Sequence, residues 1–385
     1  MTSAQAHSAL PQPAADALAL SARLETRIRD DITTAGGWIS FARYMELALY
    51  SPGLGYYSAG SRKLGAAGDF ITAPELSPLF GRVLARQIAP LINAGMDDII
   101  ELGAGSGTLV ATLLTELDAL DRLPQQYRIL EVSADLRQRQ QARIAEATSR
   151  LAARVQWLDS LPERIDAVII ANEVLDALPV HRIRIVDGCA QELGVTVDGD
   201  GRFGWACREA FPALAAAVPE LPEAYETEIG LGMQALVADL GQRLQRGLLL
   251  FFDYGFPAHE FFHPQRDRGT LMCHYRHHAH GDPFLWPGLQ DITAHVDFSA
   301  IARSAPQLDL LGYASQAQFL INGGITELLA EVPASDVLRY APLAAQAQKL
   351  LSPAEMGELF KVIALGKNLP VPLQGFRRGD RSHTL

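Results

Sequence analysis

The 385-residue chain has few cysteines, and Cys189, Cys207 and Cys273 form no C-x-x-C pair. This spacing excludes a disulfide framework and a structural zinc knuckle, and it favours a reducing compartment. No apolar run approaches the roughly 20 residues that a membrane-spanning helix needs. The chain also lacks the features of a signal peptide and the arginine-rich start of a transit peptide. These absences predict a cytoplasmic protein of bacterial type without a membrane span.

An excess of positive charge is also missing. The 44 acidic residues outnumber the 33 lysines and arginines, which gives a formal net charge of −11. A nucleic-acid-binding surface needs an excess of basic residues, so we predict no nucleic-acid partner. The histidine-rich run His274–His280 has no spacing that matches a closed tetrahedral site. We therefore interpret this run as a solvated loop and predict no metal.

The middle of the chain alternates strand-like and helix-like patterns, which is typical of a parallel sheet with crossover helices. The predicted strands are Asp98–Leu102, Tyr127–Val132, Val155–Trp157 and Ala167–Ala171. The predicted helices between them are Gly107–Leu117 and Ala134–Leu151. With 48% apolar residues, the chain can bury a large core around such a sheet. The pattern predicts an α/β fold with a mostly parallel central sheet.

The patterns that follow the central block differ from it. Three short strand patterns, broken by a hairpin signal at 198–201, predict a β-rich insertion over Arg182–Cys207. One long helix is predicted over Ala224–Leu244, and the apolar run Gly247–Asp253 is predicted to return to the sheet. Residues 254–288 are predicted as loop, and later helices are expected at 297–304, 315–320 and 334–350. At the other end, helical spacing begins near Leu24.

The segment Glu101-Leu-Gly-Ala-Gly-Ser-Gly107 lies where the first strand is predicted to turn into a helix. A G-x-G-x-x-G turn at such a place is typical of dinucleotide binding, but Gly107 comes one position early for that pattern. The acid Glu101 suits a cofactor with a cationic amino-acid tail, and Gly103 and Gly105 allow the backbone to pass close to it. We therefore predict S-adenosylmethionine as the cofactor, with S-adenosylhomocysteine as its product. A dinucleotide site and a plain strand–helix turn are the alternatives.

Further contacts to the nucleoside are predicted where the next two strands end. Glu131 ends the second strand, where a carboxylate can accept hydrogen bonds from both ribose hydroxyls. Asp159 and Leu161 follow the third strand and are predicted to lie near the adenine edge.

The segment Gly68-Asp-Phe-Ile-Thr-Ala-Pro-Glu75 precedes a predicted helix. Gly68, Asp69, Phe70 and Thr72 could belong to a lid that crosses the cofactor. The other interpretation is an ordinary helix start in which Thr72 serves as the N-cap. The pattern alone leaves both open.

Polar residues leave the fully apolar fourth strand at the edge where open α/β sheets carry out their chemistry. Asn172 can offer an amide oxygen to an attacking nitrogen, and also lies near the predicted cofactor site. Glu173 and Asp176 add negative charge, which suits a guanidinium because a carboxylate can bind its planar donors at two points. Helix capping is the alternative role for these two acids.

Two further residues are candidates for catalysis. Asp253 leaves the fifth predicted strand at the same sheet edge, and His295 lies between two acids in the segment Asp291–Phe298. Such a histidine could act as a positioned base. A helix cap by Asp297 explains that segment equally well.

Six stretches of the chain resemble the MidA family, over roughly residues 25–366. They are 68–75, 101–107, 171–180, 253–256, 269–271 and 290–298. The resemblance implies a class I methyltransferase fold (Rossmann-like) with a substrate-covering insertion, and it favours the lid interpretation of 68–75. In the mitochondrial members it implies complex I assembly and symmetric dimethylation of an arginine on a complex I subunit.

The leading hypothesis is thus a protein-arginine N-methyltransferase that acts on a protein partner. A small-molecule methyltransferase and an assembly factor that binds S-adenosylmethionine with little catalysis are the alternatives. An NAD-dependent oxidoreductase is a third. We expect a flexible leader (1–22), an N-terminal helical and lid region (23–95), an S-adenosylmethionine-binding core (96–188) and an insertion (189–245). The rest of the core with substrate-covering elements (246–366) and a basic tail (367–385) complete the prediction.

Overall fold

The structure of the protein is a computed structural model that describes residues 10–59 and 71–385. The α-helices in this part of the chain are α1 (Ala15–Thr34), α2 (Phe41–Tyr50), α3 (Ala73–Leu76), α4 (Pro78–Asn93), α5 (Thr108–Ala119), α6 (Ala134–Thr148), α7 (Pro212–Ala217), α8 (Leu231–Arg243), α9 (Ala258–Phe261), α10 (Phe298–Ser304), α11 (Gln316–Asn322), α12 (Ile325–Ala330) and α13 (Val337–Leu351). The strands are β1 (Ile39–Ser40), β2 (Asp98–Leu102), β3 (Gln126–Leu130), β4 (Val155–Leu158), β5 (Ile165–Asn172), β6 (His181–Val186), β7 (Cys189–Val197), β8 (Phe203–Glu209), β9 (Glu226–Ile229), β10 (Leu244–Phe256), β11 (Met272–Tyr275), β12 (His278–His280), β13 (Asp291–Thr293), β14 (Val296–Asp297), β15 (Asp309–Ser315) and β16 (Phe360–Lys367).

These elements form two compact units that interleave along the sequence. The core unit contains residues 71–175, 236–257 and 298–385. The second unit contains the described part of 1–70 together with 176–235 and 258–297. The units therefore do not follow one another as consecutive segments of the chain.

The core unit is built on a sheet whose strands follow the order β15-β16-β10-β5-β2-β3-β4. The five strands from β10 to β4 pair in parallel, whereas β16 pairs antiparallel with both β10 and β15. The interior of β5 is buried on both sides, as expected for a central strand covered on two faces. The predicted α/β class with a mostly parallel sheet is confirmed.

Local sequence determines where two helices of the core unit begin. Ser77 caps α4 by accepting a hydrogen bond from the backbone N–H of Leu79, and Pro78 occupies the first helical position. Ser133 caps α6 by accepting from the N–H of Leu136. The start of α6 is thereby fixed directly after the end of β3, close in sequence to Glu131.

The second unit carries the antiparallel strands that the insertion pattern predicts. Strands β1, β7, β6 and β9 pair in that order, β8 pairs with β7, and a small sheet joins β12, β11 and β13. Asp198 closes the hairpin between β7 and β8, because its carboxylate accepts the N–H groups of Asp200 and Arg202. Gly201 supplies the left-handed conformation of that turn, with φ of 78°.

Several elements differ from the prediction. The predicted helix over Ala224–Leu244 is instead β9 followed by α8, because residues 226–229 pair with β6. Strands β15 and β16 were not predicted, and β11 and β12 lie inside the predicted loop. Helix α1 begins at Ala15, within the predicted leader.

The C-terminal residues 367–385, predicted as a basic tail, belong to the core unit. Phe376 is buried there, and the Asp380 carboxylate accepts the N–H of Tyr313 at 3.0 Å.

No helix within residues 10–59 and 71–385 combines the length and hydropathy needed to cross a membrane. Within the same ranges, no group of three or more His, Cys, Asp or Glu side chains is arranged to hold a metal ion.

Candidate active site

The glycine turn between β2 and α5 lies at the carboxyl edge of the parallel strands. Gly103, Gly105 and Gly107 have φ values of 62°, 52° and 84°, a region that residues with a Cβ rarely adopt. A Cβ on Gly103 would also come within 3.2 Å of the Val174 side chain. The turn is closed by backbone hydrogen bonds from Gly103 N–H to Leu130 O at 3.0 Å and from Gly107 N–H to Ala104 O at 2.8 Å. The backbone conformation of this turn therefore explains why glycine occupies these three positions.

The Glu101 carboxylate is buried beneath this turn. Oε2 accepts a hydrogen bond from the Tyr127 hydroxyl at 2.6 Å. Burial raises the pKa of Glu101 to about 7, and the nearby Glu131 adds to the rise, while the tyrosine hydrogen bond opposes it. Among the described residues, no basic side chain forms an ion pair with Glu101. A buried acid of this kind suits a ligand that brings its own positive charge.

The Glu131 carboxylate lies just beyond the end of β3 and is also buried. Oε1 accepts the N–H of Ser133 at 2.9 Å, and Oε2 accepts the side-chain amide of Gln140 at 2.9 Å. Burial raises the pKa of Glu131, and these hydrogen bonds oppose that rise. The next side chain, Val132, is 81% exposed.

A third acid, Glu75 of α3, is hydrogen-bonded to the glycine turn. Its Oε1 accepts hydrogen bonds from the hydroxyls of Ser106 and Thr108, the latter at 2.6 Å. Arg143 of α6 donates to the Thr108 hydroxyl at 2.8 Å and lies 3.6 Å from Oε2 of Glu75. Glu75 belongs to a motif that the sequence identified, but its pairing with the glycine turn was not foreseen.

The predicted lid lies only partly within the described residues. Gly68, Asp69 and Phe70 fall outside them. Thr72 is at the N-cap position of α3, but its side chain makes no capping hydrogen bond. The helix-cap interpretation of Thr72 is therefore wrong as far as its side chain is concerned.

Asn172 and Glu173 adjoin one another at the end of β5. The Asn172 amide nitrogen donates to Oε1 of Glu173 at 3.0 Å, and that oxygen also accepts the N–H of Ala73 at 3.4 Å. Glu173 has φ of 53°, a strained value for a residue with a long side chain, and its N–H donates to Phe252 O at 2.8 Å. The amide oxygen of Asn172 is buried, and no hydrogen-bond donor reaches it within the described parts of the chain.

Asp253 lies on β10, the neighbour of β5, and is fully buried. Its Oδ2 accepts the N–H of Leu175 at 2.9 Å, and its Oδ1 accepts the N–H of Tyr254 at 3.0 Å. The carboxylate therefore fixes the backbone that follows Glu173. This contact gives Asp253 a role in positioning the loop 173–175.

Asp159 and Leu161 follow β4. The Asp159 side chain is 91% exposed and pairs with Arg137 at 3.0 Å. The carbonyl of Leu161 accepts a hydrogen bond from Arg243 at 3.3 Å. The backbone of this segment is thus anchored, while the Asp159 side chain points to solvent.

Two predicted site residues belong to the second unit. Asp176 is buried, and its carbonyl accepts the N–H of Ala294 at 3.1 Å. The N–H of His295 donates to the Thr270 hydroxyl at 3.0 Å, and that hydroxyl donates to the buried Glu228 at 3.0 Å. Within this unit, the backbone of Asp176 is therefore hydrogen-bonded to Ala294, the residue that precedes His295.

Comparison with known proteins identifies the chemistry. The profile of a family described as S-adenosyl-L-methionine-dependent methyltransferases matches residues 83–314. The chain belongs to this methyltransferase family. The resemblance drawn from the sequence motifs is thereby confirmed.

Individual relatives match this methyltransferase over a longer part of its chain than the family profile does. The mitochondrial protein arginine methyltransferase NDUFAF7 of Danio rerio is 30% identical and covers 86% of this chain and 84% of its own. The protein of the same name from Bos taurus is 31% identical and covers 86% and 80%. A crystal structure of a Burkholderia thailandensis protein bound to S-adenosyl-homocysteine is 51% identical, with a TM-score of 0.95, and covers 98% of this chain and 100% of its own.

Two predictions are settled by these comparisons. The dependence on S-adenosylmethionine, which the early Gly107 and the acid Glu101 predicted against a dinucleotide, is confirmed. The prediction of a cytoplasmic protein is contradicted, because the curated relatives are mitochondrial proteins. That prediction rested on the cysteine spacing and on the missing membrane-spanning run, signal peptide and transit peptide.

Proposed function

We propose that this methyltransferase transfers a methyl group to a guanidinium nitrogen of an arginine in a protein partner. The observation that carries the proposal is the pairing of Asn172 and Glu173, which offers a buried amide oxygen beside a carboxylate. The names of the curated relatives, which are protein arginine methyltransferases, support the same substrate class.

The cofactor side of the proposal assigns S-adenosylmethionine to the carboxyl edge of β2 and β3. Gly103, Gly105 and Gly107 keep this edge open to a close ligand, because side chains there would be strained. The buried Glu101 would face the cationic end of the cofactor, and Glu131 would accept from the ribose hydroxyls. A carboxylate has about four acceptor positions, so Glu131 has capacity beyond its protein partners. We add Val132, whose exposed side chain would lie against the adenine.

Binding of the group that accepts the methyl depends on the orientation of the Asn172 side-chain amide. A carboxylate only accepts, so the Asn172 nitrogen must be the atom that faces Glu173. The oxygen then points away from Glu173. Leaving a buried carbonyl oxygen without a donor costs about 1–3 kcal/mol, and a bound N–H group would remove that cost. A guanidinium offers five such groups in one plane.

Methyl transfer needs a correctly oriented acceptor nitrogen and a group that takes up one proton. S-adenosylmethionine, when bound, supplies an electrophilic methyl group on its sulfonium. Asn172 and Glu173 would hold the guanidinium so that one nitrogen faces this methyl, and positioning of that kind is worth up to about 7–11 kcal/mol of the barrier. The guanidinium nitrogen would gain the methyl as the bond from that methyl to the sulfonium sulfur breaks, which leaves S-adenosylhomocysteine. The proton that the nitrogen loses would pass to the nearby Glu173 carboxylate.

The other predicted residues have a secondary role in the proposal or none. Asp253 keeps loop 173–175 in place through the N–H of Leu175. Asp176 and His295 belong to the second unit, and the proposal gives them no role in the transfer. Thr72 and the neighbouring Gly68, Asp69 and Phe70 are retained as lid candidates. For the partner we propose a respiratory complex I subunit, as the family resemblance implies.

The test separates cofactor binding from transfer. Glu173→Gln should bind S-adenosylhomocysteine within about threefold of the wild type, yet lose labelling of protein in a lysate incubated with methyl-tritiated cofactor. The exposed Glu163→Gln is the matched control and should retain labelling. Labelling by Glu173→Gln at the wild-type level would refute the acceptor assignment. Tight cofactor binding by a wild type that labels nothing would favour an assembly factor.

A further inference from the structure

Gln140 of α6 is fully buried, and each end of its side-chain amide is hydrogen-bonded. Nε2 donates to the carbonyl of Gly105 at 3.0 Å and to Oε2 of Glu131 at 2.9 Å. Oε1 accepts the indole N–H of Trp157 at 2.8 Å. One side chain thus joins the glycine turn, the acid after β3 and a residue of β4.

The orientation of this amide is determined by its partners. The Trp157 indole can only donate, so the amide oxygen must face it. The amide NH₂ then faces two groups that can only accept, a backbone carbonyl and a carboxylate. Every hydrogen-bonding atom of the group is used, and a flipped amide would oppose donor to donor and acceptor to acceptor. Networks that are satisfied in this way hold a single geometry.

The backbone of α6 is equally close to the turn. A Cβ on Gly107 would lie 3.2 Å from the Cα of Gln140, so the turn and α6 pack without space between them. The Gln140 amide is therefore presented from a rigid helix. Neither Glu131 nor the Gly105 carbonyl can shift without breaking a hydrogen bond to it.

We propose that Gln140 is a positioning residue for nucleoside recognition, which fixes the Glu131 carboxylate and the Gly105 carbonyl in the arrangement that binds the ribose. The proposal rests on the assignment of Glu131 to the ribose hydroxyls. A buried glutamine serving only packing would affect all nucleoside ligands equally. A positioning residue should instead affect the contribution of the ribose hydroxyls.

The first experiment measures binding of S-adenosylhomocysteine and of its 2′-deoxy analogue to the full chain by calorimetry. The wild type should bind the deoxy analogue at least tenfold more weakly. Gln140→Met keeps the volume but not the hydrogen bonds, and it should bind S-adenosylhomocysteine at least tenfold more weakly while discriminating less than threefold between the two ligands. A Gln140→Met protein that keeps the full discrimination would overturn the proposal.

A second variant tests the same geometry through pH. Gln140→Glu places a carboxyl against Glu131, and two adjoining carboxyls share one proton at low pH and repel when both ionise. The ratio of its dissociation constant to that of the wild type should therefore rise at least tenfold from pH 6 to pH 8. Gln141→Glu on the exposed side of α6 is the matched control and should show a constant ratio.

The outcomes separate this proposal from the one it rests on. If the wild type binds both ligands with equal affinity, Glu131 does not accept a hydrogen bond from the ribose 2′-hydroxyl. Ribose discrimination in the wild type together with unaltered behaviour of both Gln140 variants would overturn the role of Gln140 alone. If Gln140→Met fails to fold, shown by its thermal melt, the pH ratio of Gln140→Glu decides the matter.

Discussion

The Tyr127 hydroxyl donates a 2.6 Å hydrogen bond to the Glu101 carboxylate, and both side chains are fully buried. Tyr127 lies on β3 in parallel register beside β2, which ends just past Glu101. Burial raises the pKa of Glu101 to about 7, and the tyrosine opposes the rise by stabilising the ionised form. The charge of this acid is therefore poised near neutral pH, beside the turn assigned to a cationic cofactor.

Removing the tyrosine hydroxyl should weaken cofactor binding in a pH-dependent way. In Tyr127→Phe the pKa of Glu101 rises further, so more of the acid is neutral at pH 7. Hydrogen bonds to charged groups contribute about 1.5–3 kcal/mol, which corresponds to roughly tenfold or more in affinity. Calorimetric titration with S-adenosylmethionine should show this loss at pH 7 and partial recovery at pH 8.5. Tyr340→Phe is the control, and an equal loss there would contradict the explanation.

Glu101 should also make the ligand-free protein less stable as the pH rises. The unfolded carboxyl loses its proton near its ordinary pKa of 4.5, whereas the folded one keeps it until about 7. The contribution of this group therefore falls between pH 4.5 and 7, by on the order of 3 kcal/mol. Urea unfolding at pH 5 and pH 8 should show that Glu101→Gln loses less stability over this interval than the wild type. Parallel pH dependence in the two proteins would rule out a raised pKa.

Glu75 should hold α3 against the glycine turn. Its replacement by alanine removes the acceptor of Ser106 and Thr108 and leaves Arg143 without its carboxylate partner. We expect faster exchange of the amides of Ala73, Glu75 and Leu76 and a cofactor KM raised about tenfold, measured by hydrogen exchange and initial rates. The exposed Glu355→Ala serves as the control. Unchanged exchange of these amides would show that Glu75 does not anchor this segment.

Asp253 should affect transfer more than cofactor binding. Asp253→Asn presents an amide NH₂ in place of one carboxylate oxygen, so either Leu175 or Tyr254 loses its acceptor. Loss of one buried hydrogen bond costs about 1–3 kcal/mol and allows the strained backbone at Glu173 to relax. We expect kcat to fall at least tenfold with the KM for S-adenosylmethionine within threefold. A fall in cofactor affinity without a fall in kcat would place Asp253 on the cofactor side.

The parallel strands were predictable because each contains a run of apolar residues that can be recognised without knowing the neighbouring strands. The bounds of β2 match the prediction, and β5 extends it by two residues at its N-terminal end and one at its C-terminal end. Residues 226–229 were mistaken for helix because pairing with β6, which lies more than 40 residues earlier in the chain, overrides their local preference. Strand β16 depends similarly on partners distant in sequence.

Candidate site residues could be chosen from the sequence where polar side chains follow the end of a predicted strand. Glu101, Glu131, Asn172 and Glu173 were chosen in this way, and their roles remain proposals. The partners of these acids were not chosen, because Tyr127, Gln140 and Glu75 meet them only through tertiary contacts. A weak signal existed for Gln140, which precedes the buried Ile144 and Thr148 at spacings of four on one helix face. A polar residue at such a position needs buried partners.

The identity of the methylated residue tests the central claim most directly. A lysate of the source organism would be incubated with the wild-type protein and methyl-tritiated S-adenosylmethionine, and the labelled protein hydrolysed and resolved by amino-acid analysis. Our proposal predicts that the radioactivity elutes with methylated arginine and that it is absent with Glu173→Gln. Radioactivity in methylated lysine, or only in small molecules, would contradict it.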